Sequence, residues 1–418
     1  MRLEIARMGT RGDGEAVVAD GIVHVPFTLP GEEANVAVVG HKGSVVSLIT
    51  PSPERVSPVC RHFESCGGCS LQHWHRESML GWKRHLVADA LAKRGIAAAV
   101  QPTIGSTPGQ RRRVTLSVRS VHGRIETGFN AAHSHDIVEV SECPLASPAL
   151  VEAFADMREL ARLLKVTREG GHITLTETLT GLDVSFSGFE KLDDALRRKL
   201  SDFALHKNFA RLSAGEDIIV ERARPAVDFG GVTVSPPPGG FLQASTQIET
   251  AMSDLVTGHI AKAKKVADLF AGSGAFAFRI AKRSAVHAVE GDEAAVMALD
   301  RGRRGLQGLK AVTVKQRDLF RRPLTVTELK AYDAVVFDPP RAGAEEQAAL
   351  LAKSSVRWVA AVSCNPATLA RDLRFLIDGG YRLKRIVPFD QFLWSAHVEA
   401  VALLEKPDAG SGPRKIFR

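Results

Sequence analysis

"KKVADLFAGSGAFAFRIAKR", Lys264–Arg283, sets the architecture of the chain. Val266–Leu269 is a short apolar run, Gly272 and Gly274 make a tight turn, and a helical pattern starts near Phe276. A strand, a glycine turn and a helix in that order let the backbone approach a ligand beside the helix N-terminus. The pattern then repeats. "AVHAVEGDEAAV" (Ala285–Val296) gives a second strand ending at Glu290, "AVTVKQRDLF" (Ala311–Phe320) carries Asp318, and "AYDAVVFDPPRAG" (Ala331–Gly343) places Asp338 at a strand end. "RWVAAVSCNP" (Arg357–Pro366) ends a further strand at Cys364. Serial strand–helix alternation predicts a doubly wound parallel sheet that holds ligands outside the carboxyl ends of its strands.

A Gly-x-Gly turn suits a dinucleotide and S-adenosylmethionine alike. Two details favour the methyl donor. The third glycine of the dinucleotide pattern is replaced by Ala277, and Asp268 stands at the strand end, where a cationic methionine-type tail finds a carboxylate. Glu290 is placed to accept hydrogen bonds from ribose hydroxyls.

Upstream the character differs. Residues 1–50 alternate short apolar runs with glycine and charge ("EAVVAD", "IVHVPF", "ANVAVVG", "SVVSLIT"), which predicts a small β-barrel. "LPGEE" (Leu29–Glu33) is a turn and "PSPERVSP" (Pro51–Pro58) a linker. Trp74 to about Arg94 is expected to be helical, with Gly95 as its stop, and strands return from Arg111 to Phe186. The run Arg111–Arg113 precedes one of these strands and is a candidate phosphate contact.

The chain of 418 residues has 55 basic and 47 acidic side chains, a net +8 that suits a polyanionic partner. No apolar run is long enough to span a bilayer, and the charged N-terminus "MRLEIARMGTRGDGE" lacks a signal-peptide core. A cytoplasmic protein without a membrane partner is expected. Three of the five cysteines, Cys60, Cys66 and Cys69, fall in "CRHFESCGGCSLQHW", and Cys143 follows Cys69 by 74 positions. In a reducing compartment such a group points to metal ligands, and the spacing alone leaves zinc and iron–sulfur open.

Together these motifs resemble the RNA uracil-C5 methyltransferases, in particular the cluster-containing type that acts on bacterial 23S ribosomal RNA. "VPFTLPGE" and "PSPERVSPVC" resemble the family's TRAM domain. "GGFLQAST" (Gly239–Thr246), "DLFAGSG", "FDPPRAG", "VSCNP" and "HVEAVALLE" (His397–Glu405) match catalytic landmarks in order along nearly the whole chain. The resemblance implies an α/β plus β architecture in three domains. These are an OB-like TRAM β-barrel (1–52), a central β-rich cluster-binding domain (53–230, with about 75–106 packed on the catalytic domain), and a Rossmann-like S-adenosylmethionine methyltransferase domain (231–418). It implies a [4Fe–4S] cluster on Cys60, Cys66, Cys69 and Cys143, and donor-site positions at Gln243, Phe270, Gly272, Gly274, Glu290, Asp318 and Asp338. It also implies an RNA partner and a monomer. Ala271, Ala275 and Ser245 depart from the family, which commonly has Cys, Asn and Asn there. The rival readings are a transfer-RNA uracil-C5 methyltransferase, which usually dispenses with the cluster, and a non-catalytic iron–sulfur RNA-binding protein.

The chemistry has its own logic. Carbon 5 of uracil is a weak nucleophile until a thiolate adds to C6, and the thiolate must later leave, so cysteine suits both steps. Cys364 is the candidate nucleophile, and Glu399, a charged group in an otherwise apolar strand, the candidate base. Arg341 stands after Pro340, where amino-group methyltransferases commonly carry a stacking aromatic, and this loop lacks the cysteine of a cytosine-C5 enzyme.

Overall fold

A computed structural model describes residues 1–132, 134–304 and 307–407. The expected methyltransferase domain runs on to residue 418, and its last eleven positions lie outside the described residues. The described chain packs as two units. One comprises Met1–Lys83, Gly105–Pro225 and Gln391–His397; the other comprises Arg84–Ile104, Ala226–Asp390 and the chain from Val398.

The second unit is built on strands β1 (Lys265–Leu269), β2 (Ala285–Glu290), β3 (Val312–Gln316), β4 (Ala334–Phe337), β5 (Trp358–Ser363), β6 (Arg382–Asp390) and β7 (Glu399–Glu405). Their order in the sheet is β3-β2-β1-β4-β5-β7-β6, with the short strand Ile104–Gly105 at the far edge. The first five are parallel, and β7 runs antiparallel between β5 and β6. Order reverses between β1 and β4, which opens a crevice at their carboxyl ends.

Alternation of side chains supplies two cores. Val266, Ala288, Val336 and Ala360 face Ile248, Met252, Phe278 and Leu299. Ala267, Leu269, Val335 and Phe337 face the other side, against Leu369, Leu373, Val87 and Leu91. Burial on both faces explains why these strands are apolar throughout rather than alternating. The last two of those packing residues belong to the helix Arg76–Ala92, so the Arg84–Ile104 segment belongs to this unit.

The first unit contains two sheets. Six strands drawn from Arg2 to Thr50 form the first, and the strands at its two edges, Arg2–Glu4 and Arg7–Met8, are joined by only two residues. A flat six-stranded sheet is about 24 Å across, whereas so short a link spans about 10 Å. The sheet therefore rolls up. The second sheet has seven strands between Arg113 and Glu221, and its buried face sets Leu116, Val118, Leu175, Val184 and Phe186 against a helical layer. Its one parallel pair is pinned by a buried bidentate ion pair, Arg211 to Asp183 at 2.9 and 2.6 Å, at directly opposed positions.

One expectation is corrected. The stretch Arg111–Phe186 is not strand throughout: helices Pro148–Glu152 and Phe154–Leu163 interrupt it, burying Leu150, Phe154, Met157, Leu160 and Ala161 at helical spacing. Within the first unit, Met8 and Leu29 share a core with Leu71, Trp74 and Met79. Among the described residues no helix is long and apolar enough to cross a membrane.

Candidate functional site

The crevice of the second unit collects the carboxylates expected from the sequence. Glu290, at the end of β2, accepts the Gly272 N–H at 2.9 Å and those of Gly291 and Asp292 at 2.6 and 2.8 Å. It thereby fixes the glycine turn, and a carboxylate's remaining lone pairs stay available to a ligand. Gly272 and Gly274 both have positive φ, and a Cβ at Gly274 would lie 2.6 Å from the Phe278 ring, so the turn requires glycine there. Phe270 also holds a left-handed backbone, at φ 59°, a strain that concentrates at ligand sites. Its ring lies 5.4 Å from that of Phe320, an exposed aromatic that the sequence motifs did not single out. The signal was "RDLF", where Asp318 accepts the Phe320 N–H at 2.9 Å and presents the ring.

Asp268 is 1 % exposed and neither carboxylate oxygen has a hydrogen-bond partner of normal geometry. Burial holds its carboxyl well above the usual range, and Asp338 and Glu290 push it further up, opposed only weakly by the Ala277 N–H. Asp338, at the end of β4, accepts Gln243 Nε2 at 2.9 Å, and burial raises it too. Coupled carboxylates with an orphaned member suit a cationic ligand, since a positive charge relieves both burial and mutual repulsion. That donor set fits S-adenosylmethionine, with its sulfonium and ammonium groups. If so, Glu290→Ala should weaken donor binding by about tenfold to a hundredfold, the worth of a charge-assisted hydrogen bond. Calorimetry showing unchanged affinity would remove Glu290 from the donor site.

Cys364 and Glu399 come together through sheet register. The last pair of the β5–β7 ladder is Ser363 with Ala400, antiparallel, so the next positions outward are Cys364 and Glu399. Glu399 is 3 % exposed, and Cys364 is half-buried. The turn beyond is tied down: Asn365 accepts the Ala367 N–H at 3.1 Å as the helix cap and donates Nδ2 to the Arg341 carbonyl at 3.0 Å. The cysteine loop and the Pro-Pro loop are thus one fixed surface. Burial pushes the Cys364 thiol up to about 11, Glu399 and Asp338 adding and Arg341 opposing. Below that value each pH unit multiplies thiolate about tenfold. Alkylation of Cys364 by iodoacetamide, followed on its own peptide by mass spectrometry, should therefore climb with that slope from about pH 7 to 10. At about pH 8 it should run about two orders of magnitude slower than a free cysteine. A plateau already at that pH contradicts this.

In the first unit Cys60, Cys66, Cys69 and Cys143 line one cavity of about 240 Å³, with Phe63, Arg111 and Phe129. The backbone draws the segments together: Gly67 donates to the Asn130 carbonyl at 2.9 Å, and Arg61 pairs with Glu142 at 2.8 Å. All four are free thiols, and burial pushes Cys69 up to about 12, with the Gln72 side chain opposing and Cys143, Cys66 and Cys60 adding. Among the described residues no three His, Cys, Asp or Glu side chains are placed to hold a metal ion. A tetrahedral zinc would draw its sulfurs to about 3.8 Å of one another, from a metal–sulfur bond of about 2.3 Å. The cavity these thiols line is shared with aromatic and charged side chains, among them Phe63, Phe129 and Glu142.

The arginine run is corrected here. Arg112 is 7 % exposed, and burial lowers the pKa of Arg111 and of Arg113. Arg111 lines the cysteine cavity rather than a solvated edge, so the run is not an exposed phosphate contact.

A family model of tRNA (uracil-5-)-methyltransferases matches residues 235–407. An uncharacterized RNA methyltransferase of Brucella suis is 52% identical over 405 residues, covering 97% of this chain and 98% of its own. The 23S rRNA (uracil(1939)-C(5))-methyltransferase RlmD of Halomonas elongata is 33% identical, covering 98% and 90%. In fold, the chain is similar to the crystal structure of Pyrococcus abyssi tRNA (uracil-54, C5)-methyltransferase in complex with S-adenosyl-L-homocysteine. The TM-score is 0.75 at 24% identity, over 97% of this chain and 99% of that one.

Proposed function

The chain belongs to the RNA uracil-C5 methyltransferase family, and we propose on that basis that it methylates carbon 5 of a uridine in 23S ribosomal RNA through a covalent cysteine adduct. It is an S-adenosylmethionine-dependent enzyme of the class I methyltransferase fold. The observation that supports the mechanism is the β5–β7 ladder, whose last pair, Ser363 with Ala400, leaves Cys364 and Glu399 adjacent to the same end of it. The 33% identity to the Halomonas enzyme favours ribosomal over transfer RNA.

The Cys364 thiolate adds to C6, and the ring electrons move to the C5–C4 enolate. The bound donor supplies an electrophilic methyl group, which C5 takes. Glu399 then removes the C5 proton, the C5–C6 double bond re-forms, and the Cys364 thiolate leaves. Asp338, positioned by Gln243, and Asp268 balance the donor's positive charge, while Glu290 holds the glycine turn and the ribose edge. Phe270, Asp318 and the glycines at Gly272 and Gly274 line the rest of the donor site. Because C6 is inaccessible in a stacked helix, the uridine must be extruded into the site.

Cys60, Cys66, Cys69 and Cys143 would hold a [4Fe–4S] cluster, with Arg111 as a nearby positive charge. Its contribution is structural cross-linking, since methyl transfer moves no net electrons. The rolled N-terminal sheet is the proposed TRAM-type RNA grip, and the protein is proposed to act as a cytoplasmic monomer.

The direct test supplies purified enzyme with labelled methyl donor and either unmodified 23S ribosomal RNA or transfer RNA. Label in 5-methyluridine of the 23S RNA alone is expected. Label in transfer RNA instead would overturn the substrate assignment.

A further inference from the structure

The parallel ladder between β4 and β5 ends at Phe337 with Ala361. Beyond that pair the chain from β4 runs into Asp338, Pro339 and Pro340, and the chain from β5 into Ser363 and Cys364. Proline has no N–H to give, so the ladder cannot continue across these loops. Side chains of one helix, Pro366–Asp378, tie them together instead. Its cap, Asn365, donates Nδ2 to the Arg341 carbonyl at 3.0 Å, and Thr368 shares its hydroxyl proton between the Arg341 and Asn365 carbonyls, at 3.3 and 3.2 Å. Arg371 donates Nη2 to the Ala342 carbonyl at 3.0 Å. Asp372 accepts the Ala344 N–H at 2.7 Å on one oxygen and Arg371 Nε at 2.9 Å on the other. Arg371 also pairs at 3.0 Å with Glu345, the first residue of the helix after the loop.

Spacings of three, three and one put these four side chains on one helix face. The loop lies directly on that face. A Cβ on Gly343, which has φ 78°, would stand 2.6 Å from Arg371 Nη2, 2.8 Å from an Asp372 oxygen and 2.9 Å from Thr368 Cβ. Asp372 is 1 % exposed, and a buried carboxylate is costly unless it is bonded. Covering the sheet does not call for it, since Leu369, Leu373 and Leu376 of the same helix already enter the core.

We infer that Arg371 and Asp372, with Thr368, are positioning residues that hold the loop 341–344 against the cysteine turn and so set the geometry in which Cys364 meets C6. The inference rests on the reading of Cys364 as the nucleophile. All of these residues lie within the second unit, and they act through the backbone of the loop and of the turn. Attack on C6 needs the sulfur within about 3–3.5 Å and aligned, and a misplacement of about 1 Å can cost a hundredfold. Donor binding makes no such demand on this helix, because Asp338 is fixed ahead of the prolines. Its N–H donates to the Leu269 carbonyl at 3.3 Å, and its carboxylate accepts Gln243 Nε2 at 2.9 Å.

The test compares two full-length variants with the parent, Arg371→Met and Gly343→Ala. The first removes the guanidinium that joins loop to helix; the second keeps every clamp residue and forces the loop off the helix face. In a 23S transcript containing 5-fluorouridine, with saturating donor, the Cys364 thiolate bonds to C6 and C5 takes the methyl group. The fluorine on C5 leaves no proton to remove, so the adduct persists and its single-turnover rate reports addition and methyl transfer. That rate should fall by about tenfold to a hundredfold in both variants. Donor affinity by calorimetry and the KM for RNA should stay within about twofold. A parental adduct rate in either variant, whatever its melting temperature, makes the helix face merely structural and overturns the inference. Donor affinity falling in step with the adduct rate overturns it too, since the clamp would then serve the donor site. Cys364→Ala is run alongside. If it forms the adduct, the nucleophile assignment fails and takes the inference with it; if it forms none while the two variants react at the parental rate, the inference alone fails.

Discussion

Cys364→Ala is expected to lose methyl transfer by a factor on the order of 10⁴ or more, and to leave no covalent RNA complex. Without a thiolate on C6 there is no enolate, and C5 stays too electron-poor to take a methyl group. Glu399→Gln is expected to fail differently. Its nucleophile is intact, so addition and methyl transfer proceed, and only the loss of the C5 proton stalls. The variant should accumulate a denaturant-resistant protein–RNA complex that already carries the methyl group, visible as a shifted band and identified by mass spectrometry of the digested adduct. Normal turnover by Glu399→Gln, or an adduct from Cys364→Ala, would mean that the roles belong to other residues. The neighbouring Asp338 is the first alternative to test as base, since it too influences the Cys364 thiol and is raised by burial.

Cys143→Ser should have the second-largest effect, on composition and stability together. Protein purified without oxygen is expected to be brown and to contain iron and inorganic sulfide, and the variant should lose both. The four-cysteine site joins Cys69 to Cys143, 74 positions apart in the chain. A cross-link closing a loop of that length is worth about 4 kcal/mol in the chain-entropy account. For a unit of this size that corresponds to about 10 °C in melting temperature, measured by circular dichroism. Stoichiometric zinc without sulfide in the parent protein would sink the cluster assignment.

Local sequence carried much of the donor site. Gly272 and Gly274 announce a tight turn, which at Gly274 has no room for a side chain, and Glu290, Asp318 and Asp338 each follow an apolar run, so their place at strand ends follows from the period of the pattern alone. Phe320 escaped because a lone aromatic after a turn has no periodic signal; only the Phe270 ring 5.4 Å away gives it meaning. Arg111–Arg113 misled for the opposite reason. Three adjacent charges look solvated, yet Arg112 is buried and Arg111 and Arg113 are half-buried, and burial is a property of what packs on a residue rather than of the residue. The helices at Pro148–Glu152 and Phe154–Leu163 had a legible 3–4 spacing that the strand patterns around them obscured.

Motif spacing and apolar period were enough to specify the doubly wound sheet and the strand ends that carry Glu290, Asp338 and Cys364, while the resemblance to a family added Gln243 and Phe270 and most of the weight on Glu399 as the candidate base. Strand and helix periodicities, and the glycine requirement of a tight turn, are local properties written within a few residues. That Cys364 and Glu399 stand at the same end of one ladder is not local, because an antiparallel strand must first be inserted beside β5 in one register. Nor is the isolation of the Asp268 carboxylate, or the packing of the seven residues before Val398 with the cysteine-bearing unit. Each of these depends on contacts between segments tens to hundreds of residues apart, whose pairing energy exists only once the chain has closed the loop between them.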